Sequence, residues 1–222
     1  MKIAVLGTGI VGTTLGSKLV EAGNAVMMGS RSANNPKATD WVESAGEGAS
    51  RGTFADAAAF GEVVLNCTAG MASLEALELA ARENLDGKIL MDLANPLDFS
   101  QGMPPTLTVC NTDSLGEQIQ RAFPRVKVVK VLNTLNAAVM VRPDLVPGDH
   151  EIFMSGDDAG AKSRVMELLG TWFGWKARDV IDLGGIQTCR GTEMMLPMWI
   201  TLMGALGTPT FNLHVVKGGG AA

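Results

Sequence analysis

The chain has 222 residues, a formal net charge of −5, and 46% hydrophobic and 18% charged residues. That composition is ordinary for a globular protein with a sizeable core, and no basic run points to nucleic acid. The longest apolar stretch, Met194 to Leu206, is broken by Pro197 and Gly204 and is too short to span a bilayer.

Strand and helix patterns alternate along the whole chain. Lys2 to Leu6 reads as a first strand, Ile10 to Ala22 as a helix stopped by Gly23-Asn24, and Ala25 to Met28 as a second strand. Pro36 opens a short helix over Lys37 to Ala45. Ser50 to Phe54, Glu62 to Cys67, Lys88 to Leu93 and Val126 to Leu132 read as further strands, with helices predicted over Met71 to Leu85 and Asp113 to Ala122. Beyond these come a strand at Glu151 to Ser155, a helix at Ala159 to Trp172, a strand at Lys176 to Val180 and a Met-rich helix from Gln187 to Leu206. The pattern predicts an α/β fold with a Rossmann-type, doubly wound, mostly parallel sheet. Residues 1–140 form the expected nucleotide-binding domain. Residues 141–217 form a small extension of two strands and a terminal helix on the same sheet, and 218–222 are expected to be a disordered tail.

Gly7-Thr8-Gly9-Ile10-Val11-Gly12 fits G-x-G-x-x-G where it leaves an apolar strand and opens a helix. Gly7 serves the tight turn, Gly9 lets the backbone approach a pyrophosphate, and Gly12 permits close packing of helix on strand. The helix start offers free N–H groups and a positive dipole end to phosphates. Where NAD-binding folds place an acid for the ribose 2′-OH, this chain has Gly29-Ser30-Arg31-Ser32, with no carboxylate between Glu21 and Asp40. Arg31 offers a planar fork of donors to a 2′-phosphate, with Ser30, Ser32 and Lys37 adding hydroxyls and charge. The cofactor expected is therefore NADP(H).

Ligands of open α/β sheets lie beyond the carboxyl ends of the strands. That brings Cys67-Thr68-Ala69-Gly70, Ala94-Asn95-Pro96 and Asn133-Thr134-Leu135-Asn136 beside the cofactor, although each segment also fits an Asx-type turn. Acid–base candidates are scarce. The chain has no tyrosine, and its two histidines, His150 and His214, follow no early strand. Lys127 and Lys130 lie three apart in one strand and so face opposite sides. An acceptor such as a flavin or deazaflavin, which carries its own redox chemistry, suits this poverty. The final helix, with Met194, Met195, Met198, Trp199 and Met203, reads as core, as a dimer interface or as a pocket wall. The cysteines Cys67, Cys110 and Cys189 are odd in number and form no CxxC, which argues against a disulfide framework or a zinc site. No signal peptide fits ahead of the first strand. The expected protein is cytoplasmic, holds no metal, binds neither nucleic acid nor membrane, and forms a homodimer.

These residues resemble a known group. The strand–GTGIVG–helix, Gly29-Ser30-Arg31, the segment Val128 to Thr134 and Glu193-x-x-x-Pro197-x-Trp199 look like the NADPH-dependent coenzyme F-420 reductase family, which itself resembles the oxidoreductase domain of STEAP metalloreductases. The resemblance runs along essentially the whole chain and points to its bacterial branch. It implies that Thr8, Gly9, Ile10, Val11, Ser30, Arg31 and Lys37 hold NADP. It also implies that the Thr68-Ala69-Gly70 and Ala94-Asn95-Pro96 loops pass near the nicotinamide. Asn133, Thr134, Asn136 and Ala137 would approach the acceptor ring, with Pro197 and Trp199 on the final helix. The expected activity is hydride transfer between NADP(H) and a flavin-like acceptor such as coenzyme F-420. Reduction of an imine or small carbonyl, and a non-catalytic NADP(H) sensor, are the two other readings.

Overall fold

The structure, a computed structural model, describes residues 1–218. The disordered tail expected from 218 onward lies, after Gly218, outside the described residues. In chain order the first half runs β1 (Lys2–Leu6), α1 (Ile10–Glu21), β2 (Ala25–Ser30), α2 (Pro36–Ala45), β3 (Ala49–Thr53), α3 (Phe54–Phe60), β4 (Val63–Asn66), α4 (Gly70–Leu79), α5 (Arg82–Leu85) and β5 (Ile89–Asp92). The second half runs β6 (Leu97–Asp98), β7 (Thr106–Leu107), α6 (Leu115–Ala122), β8 (Lys127–Val131), α7 (Ala137–Val141), β9 (Ile152–Ser155), α8 (Ala159–Phe173), β10 (Val180–Asp182), α9 (Cys189–Met194) and α10 (Leu196–Leu206).

One sheet has the order β10-β9-β8-β5-β4-β1-β2-β3, and β6 and β7 form a separate small hairpin. Pairing within the large sheet is parallel except between β8 and β9. The chain winds one way from β1 through β2 to β3, then crosses back to β4 beside β1. The carboxyl ends of β1 and β4 thus diverge into a topological switch point, where such sheets bind ligands. Both faces are covered, as a parallel sheet requires. Alternate residues of β1 divide between the two cores. Ile3 and Val5 pack with Leu15, Leu19, Met28 and Trp41 on one side, while Ala4 and Leu6 pack with Val64, Leu77 and Leu90 on the other.

Several elements differ from the sequence reading. The helix predicted over Met71 to Leu85 is two helices, because Ala81 takes a left-handed φ of 67° between them. The helices at Phe54–Phe60 and Ala137–Val141 and the β6–β7 hairpin carry patterns too short for periodicity to reveal. The strand placed at Lys176 to Val180 begins only at Val180, after a 3₁₀ turn over Ala177–Asp179. The single terminal helix is a 3₁₀ turn (Ile186–Thr188) followed by α9 and α10. Pro197 sits in the first turn of α10, where its missing N–H costs nothing. No helix among the described residues is long and apolar enough to cross a membrane.

Candidate functional site

The glycine loop joins β1 to α1 in the geometry its spacing predicts. Gly7 has a φ of 115°, and a Cβ there would lie 2.6 Å from the Cys67 carbonyl oxygen. A Cβ on Gly12 would lie 2.1 Å from the Gly7 carbonyl oxygen, so the helix packs directly on the turn. Gly9 faces open space. Its N-cap position carries no side-chain cap and no acid follows in the first turn. The same bareness recurs at α4, whose N-cap is Ala69. By contrast α2, α3, α6, α7 and α8 are capped by Asn35, Thr53, Ser114, Asn136 and Asp158. The two helices that start at the switch point thus set no side-chain acceptor against their first N–H groups, which suits an anion.

A cleft of about 320 Å³ opens there, lined by Gly7, Thr8, Gly9, Ser30, Arg31, Cys67, Thr68 and Ala69 together with Asn35, Phe54, Ala72 and Ala76. A second of about 440 Å³ continues from Thr68 and Ala69 to Val11, Gly70, Ala94 and Asn95, and is walled by Met71, Leu93, Leu97 and Phe99. The apolar Met71 and Phe99 are both exposed. Sequence reasoning missed them, because Phe99 lies in a loop without a repeating pattern. Ser30 is buried and shapes the turn after β2, donating its hydroxyl to the Ser32 carbonyl at 2.6 Å and accepting the Ser32 N–H at 3.3 Å. Arg31 stands at the rim, with 65% of its side chain exposed, and its nearest acid is Glu75 on α4 at 3.3 Å. Nothing in the sequence links these two residues; the fold brings α4 beside the turn after β2. Ser32 is exposed, and Lys37 lines a different groove, between α1 and α2, with Ile10, Thr13 and Asp40.

The strand-end loops are held from below. Thr68 donates its hydroxyl to Asn66 Oδ1 at 2.7 Å, and Asn66 Nδ2 donates to Asp92 Oδ1 at 2.8 Å. The loops after β5 and β8 clasp each other. Asn95 Nδ2 donates to the Asn133 carbonyl at 2.8 Å, and Asn133 Nδ2 donates to Asn95 Oδ1 at 3.0 Å. Asn133, Thr134, Ala137 and Pro96 are buried and brace the rim. Asn136 caps α7 and donates to the Pro209 carbonyl at 2.6 Å. Trp199 stacks on Phe211 with ring centroids 5.3 Å apart, and its Nε1 has no hydrogen-bond partner among the described residues.

No group in the two clefts is poised to give or take a proton near neutrality. Burial, reinforced by Asp92, pushes the Cys67 thiol far above its usual range, so it stays protonated. The Ser100 N–H holds Asp98 below the usual carboxylate range, so it stays ionised. His150 lies elsewhere, with its Nε2 3.1 Å from the Pro143 and Val146 carbonyls. Among the described residues no cluster of His, Cys, Asp or Glu is arranged to hold a metal.

The family model for the coenzyme F420-dependent NADP oxidoreductases matches residues 2–96. The F420-dependent NADP reductase of Methanothermobacter marburgensis is 30% identical over 214 residues, covering 91% of this chain and 92% of that protein. The chain belongs to the F420-dependent NADP reductase family. A crystal structure of a protein from Arthrobacter sp. FB24 is 52% identical to this chain with a TM-score of 0.91, covering 98% of this chain and all of that one. The rat metalloreductase STEAP3 is 27% identical over 203 residues, and the chain spans 38% of that protein's length. Imine reductases share the fold alone. The one from Bacillus cereus is 19% identical with a TM-score of 0.62, and this chain spans 62% of its length.

Proposed function

We propose that this reductase binds NADP(H) across the two clefts and transfers hydride between the nicotinamide and a flavin-like acceptor, with coenzyme F-420 as the leading candidate. The observation that carries this reading is Arg31, standing at the end of a carboxylate-free β2 on the rim of the cleft that the glycine loop opens. The free N–H groups at the start of α1 suit the pyrophosphate, and the guanidinium suits the 2′-phosphate. Thr68, Ala69, Gly70, Ala94 and Asn95 would border the nicotinamide end. Asn133, Thr134, Asn136 and Ala137 would support the acceptor side, the buried ones through the backbone they hold. The nicotinamide supplies the hydride when bound, and the chain's own part is to bind, orient and exclude water. The lack of a proton-transfer group in the clefts fits an acceptor that needs none from the protein.

The apolar α10, which leaves Met198 and Leu206 exposed and carries the unpartnered Trp199 indole N–H, supports a homodimer through this helix. Light scattering of Met198→Glu against the parent chain tests that state. The free cysteines suit a cytoplasmic protein. The same lack of an acid–base group also favours a second reading, an NADP(H) sensor without turnover.

The test is NADPH oxidation with coenzyme F-420, with free flavins and with cyclic imines as acceptors. Turnover with the deazaflavin supports the reading. Turnover with imines alone overturns the acceptor, and tight NADPH binding without turnover on any of them supports the sensor.

A further inference from the structure

Beneath the nicotinamide-side loops lies a chain of buried charges that hydride transfer itself does not use. Lys130 in β8, Asp92 at the end of β5 and Glu193 in α9 have side chains exposed by only 1%, 0% and 1%. Lys130 Nζ lies 2.8 Å from both Asp92 Oδ2 and Glu193 Oε1, and it also donates to the Ala94 carbonyl. Two carboxylates against one ammonium leave one negative charge over. The N-terminus of α6 meets it, since the Leu115 and Gly116 N–H groups donate to Glu193 at 2.8 and 3.0 Å. On the other side Asp92 accepts from Asn66, and Asn66 accepts the Thr68 hydroxyl. An unbroken run of contacts therefore joins α9 to Ala94 and Thr68, the two loops that wall the inner cleft.

Every neighbour of the Glu193 carboxylate named here is a donor. A glutamine at 193 would offer one accepting oxygen where two are used, and would turn its amide N–H₂ against an ammonium or a backbone N–H. The side chain would have to move. Lys130 would then lean on Asp92 and Ala94 alone, and the strand-end loops would lose their fixed support.

We propose that Glu193 is a positioning residue for the nicotinamide end of the cofactor. It acts through Lys130 on the Ala94 and Thr68 loops, so that the C-terminal helices set the shape of the inner cleft. This rests on the reading that NADP(H) lies along the two clefts. The two ends of the cofactor separate the proposal from a merely structural role. NADPH fills both clefts, whereas 2′,5′-ADP carries the Arg31-binding phosphate and no nicotinamide.

The experiment measures Kd for both ligands by calorimetry on the full chain and on Glu193→Gln. The expected result is NADPH binding weakened about fivefold or more, with 2′,5′-ADP changed by less than about twofold. A double variant with Thr68→Val should lose less NADPH affinity than the two single losses multiplied, because both residues act along one chain of contacts. Should Glu193→Gln fail to fold, Glu193→Asp, which keeps the charge but shortens the reach, is compared on the same two ligands with the same split expected. Equal weakening of both ligands, or no change in either, overturns the proposal. A parent chain that binds neither ligand overturns the cofactor reading instead.

Discussion

The two ends of the cleft are built in opposite ways. At the outer end the groups that would choose the cofactor stand in water. Arg31 and Glu75 are 65% and 62% exposed and meet as a surface ion pair. At the inner end the polar groups are sealed off: Lys130 pairs with Asp92 and Glu193, and Asn66 and backbone groups complete the set. An exposed pair is worth little to stability and is easily exchanged for a ligand's charge. A buried set is costly to break and keeps its geometry. Cofactor choice and loop geometry would then be set in different dielectric environments, and changes at the two ends should fail in different ways.

The largest effect is expected at the inner end. Lys130→Met leaves two buried carboxylates facing each other, and should lower unfolding free energy by about 3–5 kcal/mol in a urea titration. A loss under about 1 kcal/mol would erase the distinction between the ends. Arg31→Ala comes next and works on the ligand alone. NADPH affinity should fall about 10- to 100-fold with NADH affinity and the melting temperature nearly unchanged, as expected for loss of charged hydrogen bonds to a phosphate. Equal losses for both nucleotides in the calorimeter would remove the 2′-phosphate role.

Acid should loosen the C-terminal clamp. Arg190 donates to both Glu117 oxygens at 2.8 and 2.6 Å, tying α9 to α6, and it holds the Glu117 carboxyl below its ordinary range. Nearby, Arg121 lowers Asp113 to about 2. A carboxylate with a depressed folded pKa stabilises the fold fully above its unfolded value and loses that contribution as pH falls through the folded value. Stability should therefore decline from about pH 4.5 downward, and Arg190→Ala should flatten that decline in thermal melts across the range. The smallest effect belongs to Glu75. In the free chain it pairs with the guanidinium proposed for the 2′-phosphate, so Glu75→Gln should tighten NADPH by about two- to fivefold. Weaker binding would make Glu75 a support for Arg31 instead of a competitor.

The outer end was largely legible in the sequence. The turn at Gly7, the packing of Gly12 and the missing acid after β2 are local facts, fixed by which side chains stand within a few residues of one another. Even the opposite facing of Lys127 and Lys130 followed from strand alternation, and the structure has the first exposed and the second buried. The inner end was only half legible. Asn133 and Thr134 were expected to approach the acceptor ring; that both side chains are buried beneath the rim is a tertiary fact the sequence did not carry. Phe99 lies in a loop with no periodic signal, and Met71 stood only as the start of a predicted helix, yet both wall the inner cleft.

Alternating patterns and a glycine spacing were enough, unaided, to specify a nucleotide-binding α/β sheet and the cation at its rim, because those features depend on steric and hydrogen-bonding demands between near neighbours. The reversal of β9 against β8, the break between α9 and α10, and the meeting of Lys130 with Glu193 were decided only when the sheet closed. Whether a charge is buried, and what it is paired with, depends on residues far away in the chain that packing alone brings within reach.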